Sequence, residues 1–228
     1  MPGLDDVGWR LRSLDFREQA GWPWESEAKR RLRDSSRFDE SFLHDLYSSL
    51  HFLTPERIKL RDGDPPVTHD QYPHCQLTQQ TPRPLLRALI ARATDHVAPY
   101  MDRVHVTHAS TRDFSAASPC FVLTETIRLP AGLARDQSIR EFACIHAEYQ
   151  PQYGWTERQG GGGGSMHVLL APRDASLLIH HGLAEWHPAA HESQPLVLLY
   201  APRNGAELEL SLHVLDAACR FILSSDFD

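Results

Sequence analysis

The sequence predicts an α+β fold, a mostly antiparallel sheet packed against several helices, from three observations. The 228 residues are 41% hydrophobic, enough for a sizeable core. Residues 103–108, 120–128, 140–148, 166–170 and 196–200 alternate or run apolar as strands do. Apolar residues at helical spacing flank that block, with Leu85, Leu89, Ala93 and Val97 before it and Leu208, Leu212, Leu215, Cys219 and Ile222 after it.

Residues 1–60 read as an N-terminal helical arm and 61–228 as the main domain. Within the arm, Gly21-Trp-Pro-Trp24 is a turn. Ser36-Arg-Phe-Asp39 fits a capping box ahead of Phe42, Leu46 and Leu50, and Thr54-Pro55 ends that helix. Residues 61–80 hold Pro65, Pro66 and Pro73 with no period, as an ordered loop would. Thr81-Pro-Arg-Pro84 opens the next helix, because proline suits a first turn whose N–H groups lack partners. Among the strands, 196–200 is apolar throughout, as expected of one buried on both faces. Residues 172–181 form a helix closed by Gly182, and Asn204-Gly-Ala-Glu207 caps the last one. Gln159-Gly-Gly-Gly-Gly-Gly-Ser165 lacks the spacing of a phosphate-binding loop and reads as a floppy surface loop or an inserted linker.

The net charge of −7 and the absence of a basic stripe argue against nucleic acid. The basic run Lys29-Arg-Arg-Leu-Arg33 is flanked by Glu25, Glu27 and Asp34, as on a solvated helix face. No apolar run approaches a membrane span, and the first residues do not form a signal peptide. Cys75, Cys120, Cys144 and Cys219 form no CxxC pair and read as free thiols of a cytoplasmic protein. The expected partner is a small-molecule substrate.

The candidate chemistry lies in histidines. His146 stands in Glu141-Phe-Ala-Cys-Ile-His-Ala-Glu148, His167 in Gly164-Ser-Met-His-Val-Leu-Leu170 and His187 in Gly182-Leu-Ala-Glu-Trp-His-Pro188. Strand residues two apart share a face, so His146 and Glu148 are neighbours and are either a base with its orienter or part of a two-histidine, one-carboxylate metal set. The metal reading takes His146, His167, His187 and Glu148 as ligands of Fe, Cu or Zn; the rival reading is acid–base chemistry by the same histidines. His187 precedes Pro188, which restricts its backbone to extended forms. Arg203 lies between a buried strand and a helix start, where it would bind an anion or pair with Glu207. Tyr200 reads as a core residue whose hydroxyl reaches a partner. His74 and Gln76 join a substrate site if the long loop covers it. Cys144 shares a strand face with His146 and reads as a packing cysteine. His180, His181 and His191 read as surface residues.

The order of His146, Ser165-Met-His167-Val-Leu-Leu, Gly182-Leu-Ala-Glu-Trp-His-Pro188 and Tyr200-Ala-Pro-Arg-Asn204 resembles the fungal luciferase family. That family shows a Ser/Thr-Leu-His strand, a Gly-Trp-Gly-x-x-His-Pro-Leu turn and a Tyr-Ala-Pro-Arg-Asn motif in the same order. The resemblance covers residues 119–222 well and 60–118 more weakly, where Pro73-His-Cys-Gln76 sits at the family's Gln/His-Arg-Gln. Leu183, Trp186 and Ala189 depart from it, the loop before His167 is longer, and no counterpart of the membrane helix of luminescent members is expected.

The resemblance implies an oxidoreductase of secondary metabolism that oxygenates a phenolic, α-pyrone or polyketide-derived substrate without an organic cofactor. In that scheme His146 or His167 removes the proton, and Arg203 or His187 stabilises the anion. His74, Gln76 and Tyr200 are the substrate-binding candidates. The alternatives are a metal- or histidine-assisted decarboxylase, hydrolase or cyclase, and a ligand-binding module without catalysis. All require the histidines to converge within coordination or hydrogen-bond reach.

Overall fold

A computed structural model describes residues 50–68, 74–108, 118–127, 140–147, 163–187, 190 and 195–224. It is α+β, with six antiparallel strands and three α-helices. The strands are β1 (Val104–His108), β2 (Pro119–Leu123), β3 (Glu141–Ile145), β4 (Met166–Leu169), β5 (Ala184–Trp186) and β6 (Leu196–Leu199). The helices are α1 (Arg83–Val97), α2 (Pro172–His180) and α3 (Gly205–Leu223). The sheet order is β1-β2-β3-β4-β6-β5, so β6 inserts between β4 and β5.

Side chains alternate across a strand, so the register sorts the sheet into two faces. One row runs Val106, Phe121, Ala143, Val168, Val197, Trp186 across all six strands. The next row on that face is Ile145, Met166, Leu199, Ala184. This apolar face is the core, and α3 lies over β3 and β4 with α1 against it. The opposite face carries Thr107, Cys120, Cys144, His167, Leu198 and Glu185 in one row. Thr68, His74 and Gln76, from the described parts of residues 61–80, lie against this second face, which holds the candidate site.

The helices form where expected, with small shifts. In α1 the buried stripe is Leu86, Leu89, Ala93 and Val97, with Leu85 partly buried against the same core. Gly182, at φ 67°, closes the turn after α2. Asn204 caps α3 by accepting from the Glu207 N–H at 3.0 Å, and Leu208, Leu212, Leu215, Cys219 and Ile222 are all buried. Residues 50–60, part of the expected arm, pack on the same core: Leu53 and Ile58 are buried, and the Phe52 and Leu53 amides donate to Asp174. The turn at Gly21, the capping box at Ser36 and the helix around Phe42 and Leu46 lie outside the described residues.

Four expectations are corrected. The strand expected at 120–128 ends at Leu123, because Arg140 donates to the carbonyls of Thr124, Glu125 and Ile127 and holds a turn there. Glu185 and its neighbours, expected as a turn, form β5, a three-residue strand too short to show a period. The thiols of Cys120 and Cys144 are not free. They are register partners on β2 and β3 with Cα atoms 4.0 Å apart, and they form a disulfide, while Cys75 and Cys219 remain thiols. Nor is the whole glycine run a floppy loop. Gly163 and Gly164 are buried at φ 71° and 96°, and a Cβ on them would lie 2.3 Å from the His146 oxygen and 2.0 Å from Thr81 Oγ1. Gly164 N–H donates to the His146 carbonyl, and the Gly163 carbonyl accepts from Thr81. These two glycines let the chain turn tightly against β3 and the start of α1.

Among the described residues, no helix is long and apolar enough to cross a membrane.

Candidate active site

Successive strands deliver one residue each to the second face. His146 follows β3 directly and its N–H donates to the Ser165 carbonyl, which continues the β3–β4 pairing and sets His146 beside Ser165. His167 is on β4 and Glu185 on β5. His187 follows β5 and is held by its N–H to the Leu196 carbonyl. Tyr200 follows β6, with its N–H on the Leu183 carbonyl. The loop then supplies Thr68, His74 and Gln76, with an isolated bridge between Thr68 and Gln76 pinning its two limbs together.

The result is a buried cluster of His74, His146, His167 and His187, each no more than 8% exposed. Ring centroids are 4.3 Å apart for His146–His167 and for His167–His187, 5.0 Å for His74–His187 and 6.2 Å for His74–His167. The convergence required of the three sequence candidates is therefore present. His74, from the loop, is the fourth member.

Hydrogen bonds assign the ring nitrogens. His167 Nε2 lies 2.6 Å from the His74 carbonyl oxygen, which only accepts, so Nε2 carries the proton. His74 Nε2 lies 2.8 Å from Glu185 Oε1. That carboxylate also accepts from Thr68 Oγ1 at 2.6 Å and from the Tyr200 hydroxyl at 3.0 Å. A carboxylate receiving these donors orients His74 with Nε2–H toward it. His146 differs. Its Nδ1 faces the Ser165 hydroxyl at 2.9 Å, and a hydroxyl both donates and accepts. His146 Nε2 faces His167 Nδ1 at 3.4 Å. Ser165 therefore partners His146 in either tautomer, while only the Nε2–H form also donates to His167 Nδ1; His167 and His74 are held in one tautomer.

Burial sets the charge state. It pushes His146 down to about 3, with the neighbouring His74 adding to the effect. His187 is pushed down to about 3 by burial, then by His74 and His146. His167 falls well below the ordinary imidazole value through burial first and then His146, His187 and His74. Neutral imidazoles of this kind are proton acceptors and metal ligands.

Other sequence candidates occupy different places. The Arg203 guanidinium donates to Glu207 Oε1 at 2.9 Å from Nε and 2.5 Å from Nη2, and to the Asp62 carbonyl at 2.8 Å. Burial raises the Glu207 carboxyl, but the hydrogen bonds from Arg203 outweigh it and hold the group below its ordinary value. Arg61 joins them, 3.6 Å from Glu207 and stacked over Tyr200. Gln76 donates to the Thr78 and Gln79 carbonyls and accepts from Ala201 N, tying the loop to the end of β6. The partner that the Tyr200 hydroxyl reaches is Glu185. Glu148 and His191 lie outside the described residues. Three participants, Thr68, Ser165 and Glu185, stand outside the sequence candidates. The pair Glu185-Trp186-His187 has the same two-residue spacing as His146-Ala147-Glu148, and that was the available signal.

Neither the curated proteins nor the solved structures contain a match to this chain. Residues 160–218 match a family model described as Luciferase domain. That segment carries Ser165, His167, Glu185, His187, Tyr200 and Arg203, and over it the chain is similar to that domain.

Proposed function

We propose that the chain is an oxygenase of the luciferase-like type. It acts on a small phenolic, α-pyrone or polyketide-derived molecule that bears an acidic enol or phenol. The observation that supports this best is the buried cluster of four histidines on the second face of the sheet, where burial pushes His146, His167 and His187 below the ordinary imidazole value.

His146 takes the substrate hydroxyl proton. Its Ser165 partner serves either tautomer, so the proton can arrive on Nε2 and later leave. An imidazole pushed to about 3 is a weak base in an empty cluster. Proton transfer from the substrate itself changes that, because the resulting enolate lies against the new imidazolium and an opposite charge favours the charged form. The enolate supplies both electrons to molecular oxygen, a carbon–oxygen bond forms, oxygen is reduced to the peroxide level, and the proton returns to the peroxide oxygen. The hydrogen bonds among Glu185, His74 and His167 orient the surrounding rings before substrate arrives, which lowers the reorganisation cost.

Oxygen uptake on a panel of phenols, α-pyrones and β-dicarbonyl compounds tests this reading. A reactive compound is expected to consume oxygen, with the rate falling on the order of a hundredfold or more in His146→Ala. Turnover of the same compound at an unchanged rate under argon would replace oxygenation with a non-oxidative step.

A further inference from the structure

We infer that His74, His167 and His187 form a site for one divalent first-row transition metal ion, with Glu185 as the outer carboxylate that orients His74. One ligand nitrogen from each of these three residues lies within 4.8 Å of the others. Three imidazoles on a single small centre are a ligand set of the catalytic zinc type, which leaves a coordination position open.

Two observations beyond proximity carry this. His74 is 1% exposed, and its Nδ1 has no hydrogen-bond partner among the described residues. A buried polar atom left without a partner costs free energy, and a metal ion is one way to satisfy it. Its other nitrogen is held by Glu185, so the histidine already has the outer carboxylate that metal-bound histidines characteristically keep. Thr68 and Tyr200 hold that carboxylate in turn. His167 is prepared the same way, with Nε2–H on a carbonyl and Nδ1 left as the lone-pair nitrogen.

The set differs from the one the sequence favours. His74, which stands 93 residues before its partner His167, takes the place of His146. His146 then stands beside the metal as the proton carrier, with Nε2 3.4 Å from His167 Nδ1. The inference rests on the proposed function only for the role of His146 as proton carrier. The site itself stands on the geometry.

The test is binding of Co2+ and Zn2+ to tag-free, chelator-treated full-length protein, read by titration calorimetry and by the visible absorption of Co2+. The expected result is one equivalent of Co2+ with the strong absorption of a low-coordinate site, displaced by Zn2+. His74→Ala and His187→Ala are expected to abolish it. Glu185→Gln keeps the shape of the side chain and is expected to weaken binding about ten- to a hundredfold. His146→Ala is expected to retain one equivalent. Absence of saturable binding in folded wild-type protein would overturn the site, and so would equal binding by His74→Ala and wild type. If His74→Ala fails to fold, Glu185→Gln decides: affinity equal to wild type counts against the site. Oxygen uptake by protein that binds no metal would remove the metal site and leave the oxygenase reading standing. Stoichiometric metal without oxygen uptake would do the reverse.

Discussion

His146 and His167 are adjacent rings with different freedoms, and the difference lies in one neighbour each. Ser165 offers His146 a hydroxyl that accepts or donates, while the His74 carbonyl only accepts from His167. This separates a proton carrier from a fixed ring. Arg203 provides the contrast, since Glu207 and Asp62 occupy its guanidinium. Arg203→Gln is expected to lower thermal stability and leave turnover within a few-fold of wild type, whereas His167→Ala is expected to abolish turnover. Parallel melting curves and initial rates check both, and a collapse of turnover in Arg203→Gln would return it to the anion-binding role. Gly164 is a second residue whose identity is dictated by contact. At φ 96°, with a Cβ position 2.0 Å from Thr81 Oγ1, Gly164→Ala is expected to cost about 2 kcal/mol or more in urea unfolding. Gly205→Ala, with nothing within 4 Å, is expected to be neutral or mildly stabilising.

At the level of elements, strand pairing decides what meets. The β2–β3 register places Cys120 opposite Cys144, and the β3–β4 register places Cys144 opposite His167. The disulfide closes a segment of sequence separation 24, for which loop entropy gives roughly 3 kcal/mol of stabilisation. Reductant is therefore expected to lower the melting temperature of wild type and leave that of Cys120→Ala/Cys144→Ala unchanged. An equal melting temperature with and without reductant in wild type would mean that the two thiols stay apart. Three of the five expected strands match to within one residue at each end, because alternation survives wherever one face is buried, and the fourth, over 140–148, ends three residues early at Ile145. The fifth, over 120–128, overran at its end, because the stop comes from Arg140, a residue distant in sequence. Strand β5 was invisible because three residues contain too little period to recognise.

On the scale of the molecule, one sheet separates an apolar core from a polar layer that is equally dry, and that layer makes the fold sensitive to acid. His146 and His187 sit near 3 when folded against an ordinary value of 6.5, and His167 is displaced in the same direction. The unfolded chain binds more protons than the folded one between those values, so stability rises with pH there. It is fully present above about pH 6.5 and is lost as pH falls toward 3. Each such histidine contributes a slope of about 1.4 kcal/mol per pH unit. Urea unfolding at pH 7, 6, 5 and 4 is expected to show this decline, with a flatter curve in His146→Gln. A His146→Gln curve parallel to wild type would mean that His146 is not held neutral.

The sequence by itself determined the α+β class, most strands, the three long helices and three of the histidines, because local period and short motifs record which face of an element is buried. Only the tertiary structure decided that His74 joins His167 and His187, that Glu185 holds His74, and that Cys120 meets Cys144. Those meetings depend on strand order, register and the path of a loop across the sheet. Residues 111 apart, such as His74 and Glu185, leave no mark of that contact in their local pattern.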